Sequence, residues 1–227
     1  MLPAVRPRRF QRGFSAIEVT IAIVILGIVF MLVLKGAIAV QAMRALLTAY
    51  RIQDLQTAVN LYGAELRALP GDDPGAPARY GRPEARVIID GTPEFLSGNA
   101  RIDGLLTDTL NSNAETYMAW RDLRYAGFVE GDPGLAGDQA PPENLFGGIY
   151  GFDQGNLGQE AGSLCLTKVP GYAAELIDKK LDDGIIDKGK VVATSRFSID
   201  QHNHFSAPDT AGYDVKKTYI ICVALRP

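Results

Sequence analysis

From Val19 to Leu34 the chain runs through 16 residues without a single charge. Counted from Phe14, with Glu18 as its one ionisable residue, the apolar stretch VTIAIVILGIVFMLVL and its lead-in reach 21 residues. As a helix that length spans about 31 Å, the thickness of a bilayer's hydrocarbon core. The stretch holds one glycine, Gly27, and no proline, so nothing in it forces a break. A helix that is apolar on every side cannot lie on the surface of a soluble domain; it needs lipid or other apolar helices around it. Arg6, Arg8, Arg9 and Arg12 precede it with no acid among them, which predicts a cytoplasmic N-terminal side. No small-x-small cleavage site closes the run, and Lys35-Gly36-Ala37 leads on into more helical sequence. An ordinary secretory signal is therefore disfavoured. Glu18 stands out, because an ionised carboxylate near a bilayer centre costs about 2.5–3.5 kcal/mol on insertion scales. Either it has a partner or it lies at the membrane edge and needs none.

The helical pattern continues. Ile52, Leu55, Val59, Tyr62, Leu66 and Leu69 recur at spacings of three and four, while Arg51, Gln53, Asp54, Gln56, Asn60, Glu65 and Arg67 fill the other surfaces. Pro70 ends the pattern and Gly71-Asp72-Asp73-Pro74-Gly75 is turn sequence. One helix from Phe14 to about Ala68, roughly 80 Å long, is predicted, bare in its first half and amphipathic in its second. Residues 70–112 read as a long Gly/Pro/Asp loop with one edge-strand candidate at Val87-Ile88-Ile89. Ala114 to Gly127 reads as a helix with Met118, Leu123 and Tyr125 turned inward, Trp120 as a large anchor and Gly127 as its cap. Tyr172 to Leu181 reads as another. Gly148–Phe152, Ser163–Val169, Val191–Phe197 and Thr218–Ala224 are strand candidates. The fold class expected is α+β, a long N-terminal helix packed on a C-terminal antiparallel sheet. The organisation expected is a basic segment over 1–13, an apolar helix over 14–35, an amphipathic continuation over 36–69 and a globular head over 70–227.

Arg12-Gly13 followed by Phe14-Ser15-Ala16-Ile17-Glu18 and the apolar run resembles the processing site of type IV prepilins and pseudopilins: a basic leader ending in Gly, a Phe, a Glu four residues on, then an apolar helix. Leu69-Pro70-Gly71-Asp72, Glu115…Trp120…Leu123…Ala126-Gly127 and Ala174…Ile177-Asp178…Leu181-Asp182-Asp183-Gly184…Gly189 resemble a set of Gram-negative pilin-like proteins with such leaders. The resemblance implies cleavage between Gly13 and Phe14 by a membrane-bound prepilin peptidase and N-methylation of Phe14. It also implies residence in the inner membrane with a cytoplasmic N-terminus, then extraction by an assembly platform into a filament that leaves the periplasm for the cell surface. Neighbouring subunits of the same or related chains are the expected partners. Glu18 of one subunit would then neutralise the Phe14 amine of the next, setting the register, since each buried ion is costly alone and tolerable as a pair. Pilins often carry a proline in the apolar half; here only Gly27 and Gly36 are weak points.

Other chemistry is sparse. The chain has 23 Lys and Arg; without the four leader arginines, 19 basic groups face 26 acidic ones, a net charge of about −7. A nucleic-acid partner is not expected of so acidic a chain. Cys165 and Cys222 each lie in a strand candidate; in an exported domain they suggest a disulfide, which the C-terminal disulfide common in pilins also implies, while two buried thiols in adjacent strands is the other reading. Asp178, Asp182, Asp183 and Asp187 fall within ten residues and suit Ca²⁺ in ligand type, though not in the spacing of the twelve-residue calcium loop. A helix end running into an Asp-Gly turn is the favoured reading, with Ca²⁺ the alternative, and no cofactor is expected. His202-Asn203-His204 reads as a hairpin tip, since there is no third His. Gly147-Gly148-Ile149-Tyr150-Gly151 lacks the Lys-Ser/Thr of a phosphate loop. No nucleophile–base set emerges, so catalysis is not expected. The function expected is a structural subunit of a type IV pilus or pilus-like filament, serving adhesion, DNA uptake, motility or secretion. The alternatives are a minor pseudopilin of a type II secretion system, a single-pass membrane-anchored periplasmic binding protein, or an anchored exported enzyme.

Overall fold

The computed structural model describes residues 13–89, 92–94, 97–106, 113–155, 157–159, 162–196 and 207–225. The chain divides into two compact units, Met1–Gln41 and Ala42–Pro227. Helix α1 (Ala16–Leu66) belongs to both.

In the first unit α1 starts on a cap rather than at a random point. Ser15 C=O accepts the N–H groups of Glu18 at 3.0 Å and Val19 at 3.2 Å. The Glu18 carboxylate reaches back to the Ser15 N–H at 2.8 Å. This is the acidic half of a capping box, with Ser and Glu three residues apart.

In the second unit α1 becomes one-sided. Ala45, Thr48, Ala49, Ile52, Leu55, Ala58, Val59 and Tyr62 are buried, a run at spacings of three and four. The stripe expected from Ile52 onward thus begins two turns earlier, with small residues. α1 ends at Leu66, where Arg67 takes a left-handed φ of 57° and Pro70 follows.

The described part of residues 70–112 holds more regular structure than the loop expected there. Pro77 lies in the first turn of a short helix α2 (Ala76–Tyr80), where a missing N–H is harmless. Strands β1 (Val87–Ile89) and β2 (Thr92–Glu94) pair with each other in a two-stranded antiparallel sheet. Val87–Ile89 is therefore not an edge of the main sheet. Helix α3 (Glu115–Tyr125) ends with Phe128 N–H on Leu123 C=O at 2.9 Å and Gly127 N–H on Arg124 C=O at 3.1 Å. That is the Schellman pattern, with Gly127 at its left-handed position. Met118, Trp120 and Leu123 are buried, whereas Tyr125 is half-buried and stacks on Tyr80 with ring centres 5.1 Å apart.

The main sheet has strands β3 (Tyr150–Asp153), β4 (Ser163–Pro170), β5 (Val191–Thr194) and β6 (Thr218–Ala224). They run in the order β3-β4-β6-β5, every pair antiparallel. Helix α4 (Gly171–Leu181) connects β4 to β5. The period of two separates the faces. Leu164, Leu166, Ile221, Val223, Val191 and Ala193 share the main core with α1, α3 and α4. Trp120 lies against Phe152 there, ring centres 4.7 Å apart. Cys165, Cys222, Val192 and Ile220 form a second apolar cluster with Leu106 and Leu157. Gly151 opposes Cys165 in register, and a Cβ on it would fall 2.2 Å from Leu106 Cδ1; glycine is what lets Leu106 settle there. The sheet's outer strands are not left open. Ala193 on β5 donates to Ile186 C=O and accepts from Asp209 N–H, and Tyr150 on β3 donates to Pro142 C=O. Such cover removes the template for further strands.

Candidate functional site

The largest unpartnered surface is on α1 itself. Phe14, Ile17 and nearly every large apolar residue from Val19 to Val40 are exposed, Phe14 at 87%. The most apolar 18-residue window of α1 has a mean hydropathy of 2.9 and none of it is buried. α1 is the one helix among the described residues long and apolar enough to cross a membrane. Exposing so many Ile, Val and Leu side chains to water is unfavourable by about 25 cal/mol per Å² of apolar surface. This surface therefore belongs against hydrocarbon, whether lipid or protein. Gly13 and Phe14 precede the helix outside regular secondary structure. The residues before Gly13 lie outside the described part.

Glu18 has a local role that spacing alone did not reveal. Its hydrogen bond to Ser15 N–H satisfies one of the orphan donors of the helix start and places a negative group at the positive end of the helix. The sequence signal was present in Ser15-x-x-Glu18.

Cys165 and Cys222 are joined by a disulfide, directly opposite one another on β4 and β6 with Cα atoms 4.0 Å apart. Both are fully buried.

Of the four clustered aspartates, Asp178, Asp182 and Asp183 bring one carboxylate oxygen each within 4.8 Å of one another; Asp187 is not in the group. Their oxygens already serve the turn after α4. Asp178 accepts from Tyr213 Oη at 2.7 Å and Gly184 N–H at 3.2 Å. Asp182 accepts from the N–H groups of Lys190 and Val191, and Asp183 from Ile185 N–H at 2.8 Å. Burial and the neighbouring Asp183 and Asp182 charges push the Asp178 carboxyl up against these donors. The arrangement ties α4 to β5 by hydrogen bonds. His202 and His204 lie outside the described residues.

The turn after α1 uses its two acids differently. Asp73 accepts from Tyr62 Oη at 2.8 Å, Arg79 Nη1 at 2.6 Å and Gly75 N–H at 2.8 Å. Burial pushes its carboxyl up, but those three donors outweigh it and hold the group below the ordinary range. Burial, with Asp122 and Asp73 nearby, raises the Tyr62 phenol. Asp72 instead accepts from the N–H groups of Gly98, Asn99 and Ala100. Gly71 has φ 87°, and a Cβ there would fall 2.3 Å from Glu115 C=O, so only glycine brings this turn against α3.

The groove at the end of α1, lined by Asn60, Gly63, Arg67, Asp72 and Leu225 among others, has a volume of about 590 Å³. It shows no nucleophile with a base beside it. The chain matches no family model, no curated protein and no solved structure.

Proposed function

We propose that the chain is a structural, non-catalytic subunit of a type IV pilus or a pilus-like filament, a minor pseudopilin of a secretion apparatus included. It waits in the inner membrane with its N-terminus in the cytoplasm. Prepilin peptidase then cuts between Gly13 and Phe14, and the Phe14 amine is methylated. An inner-membrane assembly platform inserts it among sister subunits through α1. The observation that carries this reading is the change of character along one uninterrupted helix. From Phe14 to Val40 its described large apolar side chains are exposed, and from Ala45 to Tyr62 it lays a continuous stripe into the core. The Gly13-Phe14 junction and Glu18 at the head of the exposed part fit the resemblance, and the disulfide fits export.

A second reading is favoured by the bond between Glu18 and Ser15 N–H. With Glu18 occupied by its own helix start, α1 needs no partner subunit, and the chain is a single-pass anchor for a periplasmic binding domain. Mass spectrometry of the mature chain from cells with active prepilin peptidase separates the two. N-methyl-Phe14 at the N-terminus is the filament result. A retained leader with Met1 overturns it and leaves the anchor.

A further inference from the structure

Glu115, the first residue of α3, is fully buried, and among the described residues the charges that act on it most strongly are carboxylates. Its Oε2 accepts from Asp103 N–H at 2.8 Å and its Oε1 from Ser97 Oγ at 3.4 Å. The carboxylates in question are those of Asp72, from the turn after α1, and Asp103, from the segment above it. Arg101 is drawn to the outer side of Asp103 at 3.7 Å, with half its side chain in solvent, and Arg82 is held by Asp122 on the same helix. Burial first, and then those two carboxylates, push the Glu115 carboxyl up to about 8, against the Asp103 N–H and Ser97 hydroxyl that favour its ionised form. The positive end of α3 favours that form as well.

All three acids grip one stretch of chain, Ser97 to Leu106. Asp72 holds the N–H groups of Gly98, Asn99 and Ala100. Asp103 Oδ2 accepts from Asn99 Nδ2 at 2.5 Å, and Glu115 holds Ser97 and Asp103. The far end is fastened to β3: Leu106 N–H donates to Asp153 Oδ2 at 3.1 Å, and Gln154 N–H donates to Gly104 C=O at 3.0 Å. Leu106, only 1% exposed, then lies in the cluster that covers Cys165 and Cys222.

We propose that residues 97–106 are a proton-gated strap: protonated Glu115 keeps it shut over the Cys165–Cys222 disulfide, and ionisation of Glu115 beside Asp72 and Asp103 loosens it and uncovers that bond. The sign follows from linkage. In the shut strap Glu115 keeps its proton until about pH 8; once hydrated in the open strap it loses it near the ordinary Glu value, about 4.3. Between those limits the shut form holds one proton more than the open form, so the opening equilibrium grows about tenfold per pH unit and levels off above pH 8. The device is independent of filament assembly, since every residue in it lies within Ala42–Pro227.

The test uses the full chain in detergent and a water-soluble phosphine, which takes oxygen from water to become the phosphine oxide while the disulfide becomes two thiols. The reduction rate, divided by that of the urea-unfolded chain at the same pH, should rise about tenfold per unit from pH 6 to 8 and then flatten. Glu115→Gln should be flat across the range. A flat wild-type profile, or a Glu115→Gln profile with the wild-type slope, overturns the proposal. Asp103→Asn, which removes one like charge, should move the level-off to lower pH; an unmoved level-off also overturns it, and this arm decides if Glu115→Gln does not fold. Amide exchange corrected for its intrinsic rate should follow the same slope at Gly98–Leu106 and not in β6. An equal slope in β6 would mean global unfolding and would sink the strap.

Discussion

Arg82 and Asp122 make the most deeply buried ion pair among the described residues, their side chains 1% and 0% exposed. The guanidinium meets both carboxylate oxygens, Nε on Oδ1 at 2.5 Å and Nη2 on Oδ2 at 2.8 Å, and Gly71 N–H adds a third bond at 2.8 Å. A bidentate fork of this kind fixes angle as well as distance. It locks the turn after α1 and the segment after α2 onto α3. The pair is not therefore a large net stabiliser, since both ions had to leave water. Breaking it is another matter. Arg82→Met should cost about 3–5 kcal/mol at pH 7, because Asp122 is left charged and dry. The loss should shrink as pH falls, because burial already pushes the Asp122 carboxyl up and protonation removes the stranded charge. Urea denaturation at pH 7 and pH 4.5 checks this; an equal loss at both would show that packing, not charge, is what Arg82 supplies.

At the scale of elements, one helix carries two environments, and substitutions should report which is which. Ile52 is fully buried and Ile28 is 52% exposed. Ile52→Ala should destabilise the second unit by about 2–5 kcal/mol, the cost of a buried large-to-small change. Ile28→Ala should leave its unfolding midpoint in detergent unchanged. A matching loss for Ile28→Ala would mean that the apolar part of α1 packs on the chain's own fold. α1, α3, α4 and the four main strands were legible in the sequence because their apolar periods are strong and their ends carry Pro or Gly. Ala45, Thr48 and Ala49, all fully buried, escaped because small residues do not stand out as a stripe. α2 and the β1–β2 pair escaped because three to five residues amid Pro and Gly give no period. Asp72, Glu115 and Asp122 were visible as residues, but not as anchors. Their partners lie far along the chain, 40 residues away for Arg82 and 51 for Gly71 from Asp122, and spacing carries no record of such pairs.

For the whole molecule, the division after Gln41 coincides with a change in what the surroundings must provide. Each α1 residue in the main core is Ala45 or later. The disulfide, the sheet and the acid-held turns all belong to the second unit. The described residues before Ala42 expose an apolar surface that water accommodates poorly. Solubility and fold should thus separate cleanly. A chain begun at Ala42 should elute from size exclusion as a soluble species without detergent, with the Cys165–Cys222 bond intact and one cooperative thermal transition. The full chain should require detergent or membrane and show the same transition for its head. The outer stripe of Met43, Leu47 and Tyr50, each 50% exposed or more, remains on the shortened chain. It is too narrow to force aggregation alone, because the charged Arg44, Arg51 and Asp54 interleave with it. Precipitation of the shortened chain, or loss of its cooperative transition, would show that residues before Ala42 are part of what folds the head. A soluble, cooperative product would assign them to whatever surrounds the helix, lipid first and sister helices afterward in the filament reading.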